Sequence, residues 1–207
     1  MRTYEITSRY MKTIAILPGH AAKSEGEPVC AGYFQGWGEF KLASFYLPEL
    51  CKWLEENGFI IKPTKRENKG GTTPSYSAKA ANATNADIAL EWHFNDATAT
   101  ANGCEVLYYA ETKNEKGRLF AEKLGERIAA ILGVRHRGAV PIKSAADRGW
   151  RAFKNSKMPF FMVEPCFAGS NPREAREFCS QIKYGDFAKK AAKAVAETIN
   201  EVYGKEN

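Results

Sequence analysis

The sequence predicts an α/β fold: a single domain with a twisted, mainly parallel sheet of about six strands, flanked by helices on both faces. Short runs rich in β-branched and aromatic residues alternate with longer segments whose apolar residues recur every three or four positions, the pattern of strand and helix in turn. Several runs are apolar at consecutive positions, as in strands covered on both sides. A chain of 207 residues, with no repeat and no low-complexity linker, is enough for one ordinary core that buries roughly two thirds of the unfolded surface.

The elements follow in order. TIAIL (13–17) is the first expected strand, stopped by Pro18 and Gly19. A helix over 39–57 carries Phe40, Ala43, Leu47, Leu50 and Leu54 at helical spacing, with Gly58 available as a left-handed cap and a kink expected at Pro48. FIIKP (59–63) and DIALEWHF (87–94) are strands around a helix expected over 75–85. EVLYY (105–109) and AVPIK (139–143) flank a helix that shows Phe120, Leu124, Ile128 and Ile131 on one face and ends at Gly133. FFMVE (160–164) is the last strand. In SNPREA, Asn171 is the expected N-cap, Pro172 the first helical residue and Glu174 the capping-box partner. A final helix aligns Phe187, Ala191, Val195, Ile199 and Val202 before Gly204. The domain is expected to span 12–204, with tails at 1–11 and 205–207, and Met11 is an alternative start to Met1.

A net charge of +6 draws the protein toward anionic polymers. The basic residues are interspersed with acids rather than blocked together, so nucleic acid is not the expected partner. The N-terminal apolar run is only five residues long before Pro18, too short for a signal peptide or a membrane span. Synthesis in the cytoplasm without a signal peptide is therefore expected, as is a monomer with no integral membrane segment. Five cysteines without a CxxC pair leave at least one free thiol and point to a reducing compartment.

In an open α/β sheet the site lies beyond the carboxyl ends of the strands. His20 follows the first strand, His93 ends the third and Glu164 ends the last, so three capable side chains meet at one edge. Glu39 opens the first long helix, which starts from that same edge, and the helix dipole favours a carboxylate there. Two imidazoles and a carboxylate make a three-ligand zinc site, with a second carboxylate, Glu164, to take and return a proton during amide hydrolysis. Taken singly, His20 could be a turn residue, His93 a satisfied core histidine and Glu39 a helix-start carboxylate. Glu164 is harder to dismiss, because an acid directly after MPFFMV needs a partner or a cation when buried. Glu25 and Glu27 are rival carboxylates, His136 reads as a surface residue and Cys166 as a small buried hydrophobe.

At these residues the chain resembles the zinc-dependent N-acetylmuramoyl-L-alanine amidases of bacterial wall remodelling and phage endolysins, from about Lys12 to Tyr203. IAILPGH resembles the family's first ligand motif, GWGEFKLASFYLPEL its Gly-x-x-Glu helix start, and AANATNADIALEWHFND its His-x-Asn segment. MPFFMVEPCFAGSNPRE resembles its catalytic strand, and GCEVLYY the Gly-x-Glu strand. The resemblance implies zinc held by His20, Glu39 and His93, Glu164 as the catalytic residue, Asn95 as a nearby polar residue, and peptidoglycan as substrate. It implies cleavage between N-acetylmuramic acid and L-alanine, in an endolysin type that acts on the wall after release or export. The loop after His20 lacks the family's usual glycine and aspartate pattern, and CFAGSN is one residue longer than the usual spacing. Glu91 stands where a small residue is common. Arg148, in DRGW, is either a clamp for a substrate carboxylate or a surface ion pair. A zinc peptidase or amidohydrolase cutting another amide, and a non-catalytic wall-binding protein, are the alternatives that product identity would separate.

Overall fold

The expected strands all form, and their pairing decides where the chemistry goes. The computed structural model describes residues 12–67, 75–110 and 113–204, and the expected tails at 1–11 and 205–207 lie outside the described residues. In chain order the elements are β1 (Thr13–Pro18), α1 (Glu39–Glu56), β2 (Ile60–Pro63), α2 (Ser75–Asn82), β3 (Ile88–Trp92) and β4 (Cys104–Tyr109). They continue with α3 (Glu115–Leu132), β5 (His136–Ile142), α4 (Trp150–Asn155), β6 (Phe160–Glu164), α5 (Pro172–Lys183) and α6 (Phe187–Tyr203).

The strands form one six-stranded sheet in the order β2-β1-β3-β6-β4-β5. Four neighbouring pairs are parallel, and only β4 with β6 is antiparallel. The reversal has a local cause. The connection 93–103 contains no helix, whereas a parallel return needs a crossover of about a dozen residues or more, usually helical. The chain therefore re-enters the sheet at the edge it has just left, and Glu105 lies opposite Glu164.

Alternation along the strands divides the core in two. Ile14, Ile16, Leu90, Trp92 and Val163 pack on one face with the apolar stripes of α1, α3, α5 and α6. Ala15, Leu17, Ala89 and Met162 pack on the other with Ala81 of α2 and Phe153 of α4. Each large side chain so buried contributes about 1.5–3 kcal/mol.

Helix ends follow the sequence in most places. Gly133 caps α3 in the left-handed region (φ 62°), and Gly58 (φ 88°) turns the chain after α1. Helix α1 continues through Pro48; the carbonyl of exposed Ser44, which Pro48 cannot reach with an N–H, faces a wet side of the helix. Helix α2 stops at Asn82 instead of 85, because Asn85 adopts φ 52° and turns the chain. Helix α4 was not foreseen, since six residues are too few to show a period.

The capping box at α5 is a correction. Asn171 Oδ1 accepts from the Arg173 and Glu174 backbone N–H groups as expected. The Glu174 carboxylate, however, accepts from Gly103 N at 2.8 Å and Phe167 N at 2.9 Å. It ties the loop after β3 to the loop after β6, two of the loops that border the site. Glu174→Ala should destabilise the fold by about 1–3 kcal/mol for each buried donor left unpaired. Urea denaturation checks this, and an unchanged midpoint would contradict it.

Candidate metal centre and active site

Backbone constraints bring the first two ligand candidates together. Beyond β1, Gly19 N donates to Trp92 O at 2.7 Å, bringing the ends of β1 and β3 side by side. A Cβ on Gly19 would stand 2.4 Å from His93 Nδ1, so any larger residue would displace that imidazole. His20 then takes φ 59°, a left-handed conformation that is costly for a non-glycine residue and is found preferentially at functional sites. The loop closes back through Gly26 (φ 81°), where a Cβ would lie 2.6 Å from the His20 ring and 2.9 Å from Glu39 Oε1. Glu39 enters from the first turn of α1.

The three side chains meet through the carboxylate. Glu39 Oε1 is 3.1 Å from His20 Nε2, and its Oε2 is 3.0 Å from His93 Nδ1 and accepts from Phe94 N at 3.2 Å. One ligand atom from each of the three lies within 4.8 Å of the others. Burial pushes the Glu39 carboxyl up, but hydrogen bonds from His20 and His93 outweigh it and hold the group at about 2. Burial pulls His93 down, while its contacts with Glu39 and Glu91 raise it to about 10. A nearly buried carboxylate between two imidazoles, with glycine against each, is a donor set suited to a divalent ion and to zinc in particular. Glu25 and Glu27 are exposed and outside this cluster.

Glu164 stands beside the cluster at the end of β6, nearly buried, with Oε2 lacking a hydrogen-bond partner among the described residues. Burial raises its carboxyl to about 7; His93 and Arg148 pull it down, and Glu39 and Glu105 push it up. These neighbours place it within electrostatic reach of the candidate ligands.

A polar frame holds the other side of Glu164. Arg148 Nη1 donates to Asn95 Oδ1 at 2.6 Å and lies 3.8 Å from Glu164 Oε1, while its Nη2 donates to Glu105 Oε1. Asn95 Nδ2 donates to the same Glu105 oxygen at 3.1 Å, and Arg137 Nε to Glu105 Oε2 at 2.6 Å. Burial raises the Glu105 carboxyl, but Arg137, Arg148 and Asn95 bring it below the usual range. The structure therefore brings Asn95 and Arg148 to the site edge, where both are engaged by Glu105. Sequence reasoning marked the strand opening at Glu105 without giving that residue a job; its position opposite Glu164 depends on the reversal of β4.

The remaining candidates lie elsewhere. His136 is half-buried on β5 with Nδ1 3.8 Å from Glu122 Oε1. Cys166 is buried, and burial pushes its thiol well above the ordinary range, which suits a small hydrophobe rather than a nucleophile. Among the described residues, no helix is long and apolar enough to cross a membrane.

Comparison with known proteins gives concordant results. The model of the family Amidase_3, N-acetylmuramoyl-L-alanine amidase, matches residues 14–201. The N-acetylmuramoyl-L-alanine amidase LytC of Bacillus subtilis (strain 168) is 35% identical over 118 residues, 56% of this chain and 21% of LytC, so the match spans only a small part of that relative. The N-acetylmuramoyl-L-alanine amidase from Clostridium difficile 630 superposes with a TM-score of 0.71 at 20% identity, covering 95% of this chain and 99% of the other. The catalytic domain of the CD27L endolysin targeting Clostridia difficile gives 0.70 at 21% identity over 90% and 97%. AmiC2 of Nostoc punctiforme gives 0.69 at 22% over 94% and 98%. At these identities the structural likeness establishes the shared fold.

Proposed function

Since this chain belongs to the N-acetylmuramoyl-L-alanine amidase family, we propose that it is a zinc-dependent hydrolase of the amide between N-acetylmuramic acid and L-alanine in peptidoglycan. The observation that carries this reading is the buried Glu39 carboxylate between His20 and His93, with Glu164 half-unpartnered beside them. His20, Glu39 and His93 would hold the ion. When bound, zinc supplies Lewis acidity, which lowers the pKa of water and polarises a carbonyl oxygen.

The chain's own residues do the rest. Glu164 takes a proton from the attacking water and returns it to the nitrogen of L-alanine as the amide C–N bond breaks. Its Oε2 makes no competing hydrogen bond among the described residues, which leaves that oxygen available for the transfer. Arg148 and Glu105, fixed by Asn95 and Arg137, hold the charge beside Glu164 in one place. The basic balance of the chain, +6, suits an anionic wall. We extend the reading to an endolysin-type monomer that reaches the wall after release at lysis or by export.

Labelling of newly exposed amino termini after digestion of purified sacculi tests the bond assigned. Alanine should be the new terminus. New termini at other stem-peptide residues, or new reducing sugar ends, would contradict the assignment.

Metal loading also has a pH signature. A His93 held protonated up to about 10 must lose that proton before Nδ1 can serve as a ligand. Binding at neutral pH should therefore release protons, and zinc affinity should rise as the pH increases toward that value. Calorimetry in buffers of different ionisation enthalpy checks it, and proton-neutral binding at pH 7 would contradict it.

A further inference from the structure

Behind His93, on the side away from Glu39, lies a buried cluster that the hydrolytic scheme does not use. Glu91 is wholly buried on β3, Arg66 comes from the segment after β2, and Ser77 from α2. Arg66 and Ser77 both engage a single oxygen of Glu91. Glu91 Oε1 receives Arg66 Nε at 3.0 Å, Arg66 Nη2 at 2.8 Å and the Ser77 hydroxyl at 2.6 Å. Glu91 Oε2 receives no hydrogen bond from any of them. It lies 3.5 Å from His93 Nε2, itself a buried nitrogen with no hydrogen-bond partner among the described residues.

This asymmetry is informative. An ion pair that served only to staple α2 and the β2 exit to the sheet would be complete at Oε1, and a bare Oε2 would remain as a buried cost. Here the second oxygen is kept free and faces the one imidazole nitrogen that points away from the metal cluster. Arg66 cancels the charge that a buried acid would otherwise bring, while leaving that oxygen's lone pairs available. A proton on Nε2 that faces a carboxylate fixes the tautomer in which Nδ1 presents its lone pair toward Glu39 and the ion site.

We propose that Glu91, anchored by Arg66 and Ser77, is a positioning residue that fixes the tautomer and orientation of His93 for metal binding. This rests on the metal reading of His20, Glu39 and His93. Glu91 arrives with its own buried counter-ion, Arg66, so the chain carries this acid in the core at the cost of a second buried charge. Carboxylates that hold the far nitrogen of a ligating histidine typically affect metal affinity by about 10–100-fold.

The test compares zinc affinity, by competition with a chromophoric chelator, in the unaltered protein, in Glu91→Gln, and in the double variant Glu91→Ser with Arg66→Met. The double variant removes both buried charges and so avoids an unpaired Arg66 if the single variant folds poorly. Both variants should bind zinc about 10–100-fold more weakly and shift the visible spectrum of the cobalt-substituted protein. Stability of the metal-free chains is read separately by denaturation. Variants that lose stability but keep zinc affinity within about twofold, with an unchanged cobalt spectrum, would overturn this proposal alone. An unaltered protein that binds no zinc would overturn the metal reading, and this proposal with it.

Discussion

Glu164→Gln should lower turnover on peptidoglycan by on the order of 10²–10⁴-fold while leaving zinc stoichiometry and the folded state intact. The amide keeps the shape of the side chain but cannot accept and return the proton. Glu164 is outside the three-donor cluster, so the ion should stay. Removing the negative charge from a nearly buried group already pushed up to about 7 costs the fold little. The same value sets the acid limb of the pH–rate profile. The base must be ionised, so activity falls as pH drops through its pKa, and a dication nearby draws that limb to about 7 or below. Full activity in Glu164→Gln would remove this carboxylate from the mechanism.

His93→Ala should lose both zinc and turnover, and should also lose stability. Among the described residues, Glu39 Oε2 would keep only the Phe94 N–H, and Glu91 Oε2 would lose the imidazole facing it. Breaking a buried ion pair from one side costs about 3–5 kcal/mol. The contrast with Glu164→Gln is the informative part, since two buried residues of one site should separate in metal content. Inductively coupled plasma mass spectrometry alongside thermal denaturation gives both readouts. A His93→Ala protein with one tightly held zinc per chain would contradict the ligand assignment.

Much of this arrangement was legible because each clue was local. Proline and glycine bound the β-branched runs, and the rule that parallel strands present their carboxyl ends together was enough to gather His20, His93 and Glu164. Glu39 was legible from its place in a first helical turn. What was hidden depended on pairing across the chain. The reversal at β4 had a trace in the helix-free stretch 93–103, and that reversal alone sets Glu105 opposite Glu164. Glu174 fits a capping box by spacing, but two buried N–H groups from distant loops compete for its carboxylate and win. Glu91 showed only as an acid out of place beside His93. Its partner Arg66 lies 25 positions earlier, with nothing in the spacing to connect them.

The most direct test of the central claim is mass spectrometry of the products released from purified sacculi by metal-stripped protein, titrated with zinc. The account predicts no release without metal, then stem peptides beginning at L-alanine whose yield reaches a plateau at one zinc per chain. Release that is indifferent to zinc, or fragments in which the muramyl–alanine link survives, would contradict it.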